Sequence, residues 1–224
     1  MNILFASSEA YPFFTSGKLG DMIGSLARAL KRLNIDVRVV LPLYKDMKSE
    51  WQKKLRYVTD YNVPVSWRNQ YCGLYELVIN GVYYYFLDNE YYFKRPYFYG
   101  YEDDCERFAF FSRAILETIR RIDFTPQIIQ CNDWQTALVP VYLKLYYRQI
   151  DKFTQMKTIF TIHDIQYQGK YSSDTAEWVL GIGQENSCLM EYDGVINFLK
   201  GAIETANIVS TVSPSYALEI LDPL

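Results

Sequence analysis

Hydrophobic and polar positions along the chain switch repeatedly between two periods. "NILFAS", residues 2–7, is a short apolar run that suits a buried strand. From Asp21 to Leu33 the apolar residues Ile23, Leu26, Ala27, Leu30 and Leu33 recur at helical spacing and mark one face of a helix. "DVRVVLP" reads as a second strand closed by Pro42. Residues 55–87 break the rhythm. In "YELVINGVYYYFLD", Asn80-Gly81 separates two β-rich runs, the pattern of a tight hairpin, so an antiparallel insertion is expected there. Alternation then resumes. "DDCERFAFFSRAILETIRRI" carries Phe108, Phe111, Ile115 and Ile119 at helical spacing, and "PQIIQC" is a strand. "DWQTALVPVYLKLYYR" is a helix whose proline is expected to kink it. "KTIFTIH" is a strand, "GVINFLKGAIETA" a helix and "NIVSTVS" a strand. Ser213-Pro214 opens a last helix as N-cap and first-turn proline.

Repeated strand–helix units imply an α/β fold: a mostly parallel, Rossmann-like sheet with helices on both faces and a β-hairpin insertion. No internal repeat, low-complexity tract or linker divides residues 1–224. In such sheets the ligand sits beyond the carboxyl ends of the strands. Four loops fall there: Ser7–Gly20, Cys131–Trp134, His163–Lys170 and Thr211–Pro214.

Those loops hold the chemically suggestive residues. Gly17, Gly20 and Gly24 lead into a helix without forming the GxGxxG dinucleotide fingerprint or a P-loop. A glycine loop at a helix start can receive an anion, because unpaired N–H groups and the positive helix end point the same way; a plain turn is the simpler reading. Asp21, in the first helical turn, is already favourable for the helix dipole by about 0.3–1 kcal/mol. His163 is the single histidine of the chain and ends a strand at the ligand edge, with Asp164 beside it. Asp133 and Trp134 occupy a strand-to-helix corner, where Asp133 could simply cap the helix. Cys131 has no histidine neighbour in sequence and reads as the end of a buried strand. "EYYFKRPYFYGYEDDCERF" is an aromatic loop that can cover the core and start a helix.

Composition narrows the classes. A net charge of −3 over 224 residues argues against nucleic acid or an anionic membrane surface as partner. No apolar run is long enough to span a bilayer, and "MNILFAS" is too short for a signal peptide. Four isolated cysteines without a CxxC pair fit reduced thiols in a cytoplasmic protein. The 21 tyrosines suit strands and cores, and equally the flat faces of sugars.

Taken in order, five blocks resemble bacterial glycogen synthase and plant starch synthase, the retaining ADP-glucose glucosyltransferases. They are "ILFASSEAYPF" with "SGKLGDMIGSLARAL", then "FYGYEDDCERFAFFSRAILE", "CNDWQTALVPVYLK", "TIHDIQYQG" and "GVINFLKGAIETANIVSTVSPSYA". The resemblance implies a GT-B enzyme of two facing Rossmann-like domains without a metal or other cofactor. Residues 1–224 would be the amino-terminal, acceptor-side domain, the nucleotide-binding carboxyl-terminal domain being absent. The end at "LEILDPL", shortly after a helix starts, fits a fragment.

The implied reaction moves glucose from ADP-glucose to the non-reducing end of an α-1,4-glucan (glycogen or maltooligosaccharide) with retention. The isolated domain would be inactive. By position the resemblance assigns Thr15, Gly17, Lys18 and Gly20 to the donor phosphates. His163 would lie against the transferred sugar, and Asp21 would position loop and donor. Glu9, Tyr97 or Tyr99, Asp133 and Trp134 would line the acceptor side.

The chain departs from the family pattern at two places. Lys18 stands where glycine is usual, beside a Thr15 that is often lysine, and Asp164 stands where asparagine is common. If the loop needs φ > 0 at residue 18, a lysine there costs on the order of 1–2 kcal/mol. These departures support an alternative, a naturally short glucan-binding or regulatory relative that does not catalyse.

Overall fold

The computed structural model describes residues 1–221. Eleven strands form in chain order: β1 (Asn2–Ala6), β2 (Asp36–Pro42), β3 (Arg56–Val65), β4 (Arg68–Ile79), β5 (Val82–Asp88), β6 (Ile128–Asn132), β7 (Lys157–Ile162), β8 (Lys170–Ser172), β9 (Glu191–Tyr192), β10 (Val195–Asn197) and β11 (Ile208–Thr211). The main helices are α1 (Lys18–Arg32), α2 (Asp104–Ile119), α3 (Leu138–Tyr142), α4 (Phe198–Thr205) and α5 (Pro214–Glu219). One sheet of eight strands runs β11-β7-β6-β1-β2-β5-β4-β3, and a small antiparallel sheet runs β8-β10-β9.

Six strands of the large sheet, β11 to β5 in that order, are parallel, while β4 and β3 pair antiparallel at one end. The hairpin is thus an extension of the sheet rather than an insertion beside it. Its Asn80-Gly81 turn has φ of 52° and 77°, positive at both central positions as a type I′ turn requires. From β1 the chain steps outward through α1 to β2, and from β6 it steps the opposite way through α3 to β7. Right-handed crossovers in opposite directions place their helices on opposite faces. The direction of winding therefore changes between β1 and β6, so the loops after these strands diverge and open a crevice at the carboxyl edge.

The core is apolar and continuous. Leu4, Phe5, Val39, Val40, Phe86, Ile129 and Phe160 of the sheet are fully covered, as are Phe108, Phe111, Ile115 and Ile119 of α2. Full burial of such side chains contributes roughly 1.5–3 kcal/mol each. The aromatic loop mostly covers this core. Tyr92 and Phe93 are buried, and Phe98 stacks on Tyr44 at 4.5 Å. Cys72, Cys105 and Cys131 are buried and Cys188 is exposed, all free; burial pushes the first two thiols up to about 12.

Several expected boundaries move. α1 starts at Lys18, three residues before Asp21, and its expected facing residue Leu33 is 70% exposed at the C-cap. The single helix expected at Asp133–Arg148 breaks into a 3₁₀ turn (Trp134–Thr136), α3 and a π-helical stretch (Leu143–Tyr147). Pro140 offers no N–H and crowds the preceding turn, which loosens the i→i+4 ladder locally. "VIN" (Val195–Asn197) belongs to a strand, β10, after a turn at Gly194, and α4 starts after it at Phe198, capped by the Asn197 side chain on the Lys200 N–H. Ser213 caps α5 as expected, accepting from the Tyr216 N–H at 3.1 Å, with Pro214 in the first turn.

Candidate functional site

β6 ends in Asn132, and the chain turns at Asp133 with φ 56° and ψ −178°. A side chain other than glycine is uncommon there, at a backbone cost of order 1–3 kcal/mol. The turn is held from several sides. Asp133 N–H donates to the Thr161 carbonyl at 3.0 Å, and the Asn132 N–H donates to Thr136 Oγ1 at 2.6 Å. The turn sends the Asp133 carboxylate over the end of β7, where Oδ1 accepts the His163 N–H at 2.7 Å and the Asp164 N–H at 3.4 Å. Burial pushes the Asp133 carboxyl up to about 7 against the pull of those two N–H groups, and the charges of Asp164 and Glu9 push the same way as burial.

The His163 ring stands beside it, half-buried, with Nε2 3.0 Å from Asn132 Oδ1. Desolvation lowers its pKa to about 4, so the imidazole is neutral at physiological pH. Glu9, at the end of the crevice nearest β1, is 3% exposed. Its carboxylate accepts the Ser16 N–H, Ser16 Oγ at 2.7 Å and the Tyr99 hydroxyl at 2.7 Å. The loop after β7 is tied down as well: Ile165 N–H donates to the Tyr216 hydroxyl of α5 at 3.0 Å, and Gln166 N–H to Asp164 Oδ1 at 2.9 Å.

Two cavities open along this edge and share the wall formed by Asp164, Gln166 and Gln168. The first, about 800 Å³, is lined by Tyr99, Tyr101, Asp104, Asp133, Trp134 and Gln135 among others. Trp134 is pinned edge-on against Phe108 at 4.9 Å, and Gln135 Oε1 is buried there without a hydrogen-bond partner among the described residues. The second, about 1010 Å³, is lined by His163, Lys18, Met22, Ser213 and Tyr216. All four loops assigned to the ligand edge contribute to these walls.

The glycine segment is not one cradle. Gly17 is exposed and extended (φ −168°) as the N-cap of α1, with no side-chain cap, and Lys18 beside it is exposed and helical. Lys18 has no positive φ, so the backbone cost considered for a lysine at this position does not arise. Gly20 and Gly24 lie buried within the helix. A Cβ on Gly24 would come within 2.5 Å of the Tyr11 carbonyl oxygen, and one on Gly20 within 2.6 Å of Thr15 Cγ2. These two glycines let the Tyr11–Thr15 segment press on the helix, and Tyr11 N–H bonds to the Gly20 carbonyl at 2.9 Å. Thr15 and Asp21 are exposed and line neither cavity.

The structure therefore gathers Tyr99, Asp133 and Trp134 around one cavity, with Glu9 behind Tyr99, and His163 and Lys18 around the other. Tyr97 lies apart, 73% exposed, in a shallow hollow of about 320 Å³ that it shares with Ser16, Asp46 and Tyr99. Sequence reasoning passed over Asn132, Ser16 and Gln135. Asn132 carried a signal, as a polar residue at the end of an apolar strand. Among the described residues no group of three or more His, Cys, Asp or Glu side chains is placed to hold a metal ion, and no helix is long and apolar enough to cross a membrane.

A mostly parallel sheet, wound in two directions with its cavities at the switch point, defines a doubly wound, Rossmann-like α/β domain. The model of the starch synthase catalytic domain family matches residues 2–224, and the chain belongs to that family. It is 48% identical over 225 residues to a glycogen synthase of Desulforamulus reducens and 47% identical over 226 residues to one of Clostridium botulinum (strain Alaska E43). Each alignment covers 100% of this chain and 47% of the relative, so the chain spans about half the length of the curated proteins it matches. Among solved structures it is similar to the catalytic domain of starch synthase IV from Arabidopsis thaliana bound to ADP and acarbose. That match has 31% identity and a TM-score of 0.86, covering 99% of this chain and 46% of the other. Sucrose-phosphate synthase from Thermosynechococcus elongatus shares the fold, with 14% identity and a TM-score of 0.56 over 98% of this chain and 44% of that one.

Proposed function

We propose that this chain is the acceptor-side, amino-terminal domain of a glycogen synthase. With a nucleotide-binding carboxyl-terminal domain it transfers glucose from ADP-glucose to the non-reducing end of an α-1,4-glucan, with retention and without a metal. The observation that carries the reading is the pair of cavities joined at Asp164, Gln166 and Gln168: one aromatic and polar, the other holding His163 and Lys18. A reaction between a polymer and a nucleotide-sugar needs two such spaces meeting at one bond. The ADP and acarbose of the Arabidopsis structure support that pairing.

In this reading Tyr99, Trp134 and Asp133 receive the glucan end, with Gln135 Oε1 offering a free acceptor to a sugar hydroxyl. Glu9 holds Tyr99 and the Ser16 loop in place, and Tyr97 extends the glucan surface outward. Lys18 and the uncapped N–H groups after Gly17 face the departing diphosphate, whose growing negative charge they stabilise. Thr15, Gly20 and Asp21 shape that end of the helix. His163 lies against the transferred glucosyl group and, being neutral, adds no positive charge beside an oxocarbenium-like transition state. The chain's four free cysteines support a cytoplasmic setting, and the partners in this reading are the glucan, the nucleotide-sugar and the second domain.

The test is to complete the chain with the remaining half of the Desulforamulus reducens relative and measure glucose transfer from ADP-glucose and UDP-glucose to maltooligosaccharides. The chain alone is expected to be silent and the completed protein active, with ADP-glucose the better donor. Affinity for maltooligosaccharides without transfer after completion would favour the non-catalytic relative, which Asp164 beside the cavity otherwise supports.

A further inference from the structure

Asn132 is fully buried at the end of β6, between β1 and β7. Its side-chain Nδ2 lies 3.0 Å from the Ala6 carbonyl oxygen and 3.3 Å from the Gln130 carbonyl oxygen. Carbonyl oxygens only accept, so the amide edge facing them must donate. Turning the amide over would set Oδ1 against two oxygens in a site closed to water, which leaves buried acceptors unpaired. Oδ1 therefore faces His163 Nε2, 3.0 Å away, as an acceptor. An acceptor opposite Nε2 requires a proton on Nε2, and a neutral imidazole carries only one. Nδ1 is then a bare lone pair. Among the described residues it has no hydrogen-bond partner, and the ring lines the second cavity.

We propose that Asn132 is a positioning residue that holds His163 in one orientation and as its Nε2–H tautomer, leaving Nδ1 to accept a hydrogen bond from a hydroxyl of the transferred sugar. The sugar contact rests on the glucosyl-transfer reading above; the tautomer does not. The chain of bonds runs Ala6 and Gln130 carbonyls, Asn132 amide, His163 ring, then substrate. It ties the histidine to the backbone of β1 and β6 rather than to a titrating carboxylate. Asp133, though close, bonds the backbone N–H of His163 and not its ring. The device thus orients the ring without supplying charge, unlike a carboxylate partner, which would favour the imidazolium.

Because the chain has a single histidine, nitrogen-15 NMR of the ring reads this site without assignment. In the histidine-labelled 224-residue chain near neutral pH, long-range proton–nitrogen correlations are expected to show a protonated Nε2 and a bare Nδ1. A direct correlation is expected for the Nε2 proton, protected from water by its bond to Asn132, with a nuclear Overhauser contact to the Asn132 side chain. A protonated Nδ1, a tautomer mixture or an unprotected Nε2 proton in the unmodified chain would overturn the proposal with no variant needed. In folded N132A the tautomers should mix; an unchanged pattern would overturn the positioning role. In the completed enzyme N132A is expected to lower kcat about tenfold with the KM for maltooligosaccharide held within about twofold. An unchanged kcat there would overturn the substrate half. If the completed unmodified enzyme transfers no glucose while the Nε2–H pattern stands, the glucosyl-transfer reading fails and the tautomer device survives.

Discussion

The two halves of the carboxyl edge are built in opposite ways. At the ends of β6 and β7 the Asn132 amide, the Asp133 carboxylate and the His163 backbone are bonded within the chain, and desolvation disfavours the charged forms of both Asp133 and His163. At the start of α1, Gly17 and Lys18 stand in solvent, with no side-chain cap on the helix. The first region holds its own side chains in place. The second presents charge and N–H groups that have no partner among the described residues. A site assembled from two domains would have this asymmetry: preorganised where one domain acts alone, open where a second domain and a charged ligand must close. Preorganised dipoles need no reorganisation during reaction, whereas open ones are free to accept a diphosphate.

The sharpest way to break this comparison is pH, because the buried region carries two opposed shifts. His163, lowered from an ordinary 6.5 to about 4, binds fewer protons folded than unfolded between those values. Its contribution to stability is therefore present above pH 6.5 and is lost as pH falls toward 4. Asp133, raised from 3.8 to about 7, binds more protons folded than unfolded in that span. Its contribution is present below pH 4 and is lost as pH rises toward 7. The two slopes offset each other in the unmodified chain. Relative to it, D133N should gain stability steadily from pH 4 to 7, and H163Q should gain it as pH falls from 6.5 to 4. At about 1.4 kcal/mol per pKa unit, the change spans at most about 3.5 kcal/mol for H163Q and about 4.5 kcal/mol for D133N. Urea unfolding across this range checks both, and parallel curves for all three proteins would sink the claim that this corner is desolvated.

The next largest effect tests how the open region is seated. G24A drives a methyl into the Tyr11 carbonyl, a backbone atom that cannot swing aside, and should cost about 1–3 kcal/mol. G17A, with nothing within 4 Å of the added Cβ, should cost less, at most about 1 kcal/mol for placing alanine at the N-cap. Thermal unfolding distinguishes them, and similar losses would mean the helix end is not divided as described.

This division could not be read from the sequence, where Gly17, Gly20 and Gly24 look alike; only the return of Tyr11–Thr15 onto the helix separates them. Local signals served well where the reason was local. Asn80-Gly81 announced its turn, Ser213-Pro214 its helix start, and the apolar runs the central strands. They failed where tertiary pairing decided. Val195–Asn197 became a strand because Lys170–Ser172 and Glu191–Tyr192 lie on either side of it. The ligand edge followed from strand alternation alone, yet the Asn132 amide drew no notice, since its task depends on a carbonyl of residue 6, 126 positions away.

A third test turns to Lys18. It is exposed and helical, so K18A should leave stability unchanged. In the completed enzyme it should raise the KM for the nucleotide-sugar about tenfold, the loss expected for one charge-assisted contact to a phosphate, and leave the maltooligosaccharide KM alone. An equal rise in both would mean that the two cavities are not separate spaces for donor and acceptor. K18G should give no gain over K18A, because the residue has no positive φ for glycine to relieve.

The smallest expected effect belongs to Y99F, and it sits on the border between the two regions. The Tyr99 hydroxyl lies 2.7 Å from Glu9 Oε1 and 2.8 Å from Ser8 Oγ, and burial, with Tyr44 and Glu9 nearby, holds its pKa well above the ordinary value. The hydroxyl is therefore a proton donor at every working pH, and its loss should cost about 1 kcal/mol. Ser16 still donates to the same carboxylate from the other side, so Glu9 keeps partners and the fold survives. The diagnostic is where the cost appears. If the crevice wall is preorganised by the chain itself, Y99F lowers the unfolding midpoint slightly and weakens maltooligosaccharide binding, with the donor KM unchanged. If the donor KM moves instead, Glu9 and the Ser16 loop belong with Lys18 in the open region, and the boundary between the two must be redrawn through Ser16.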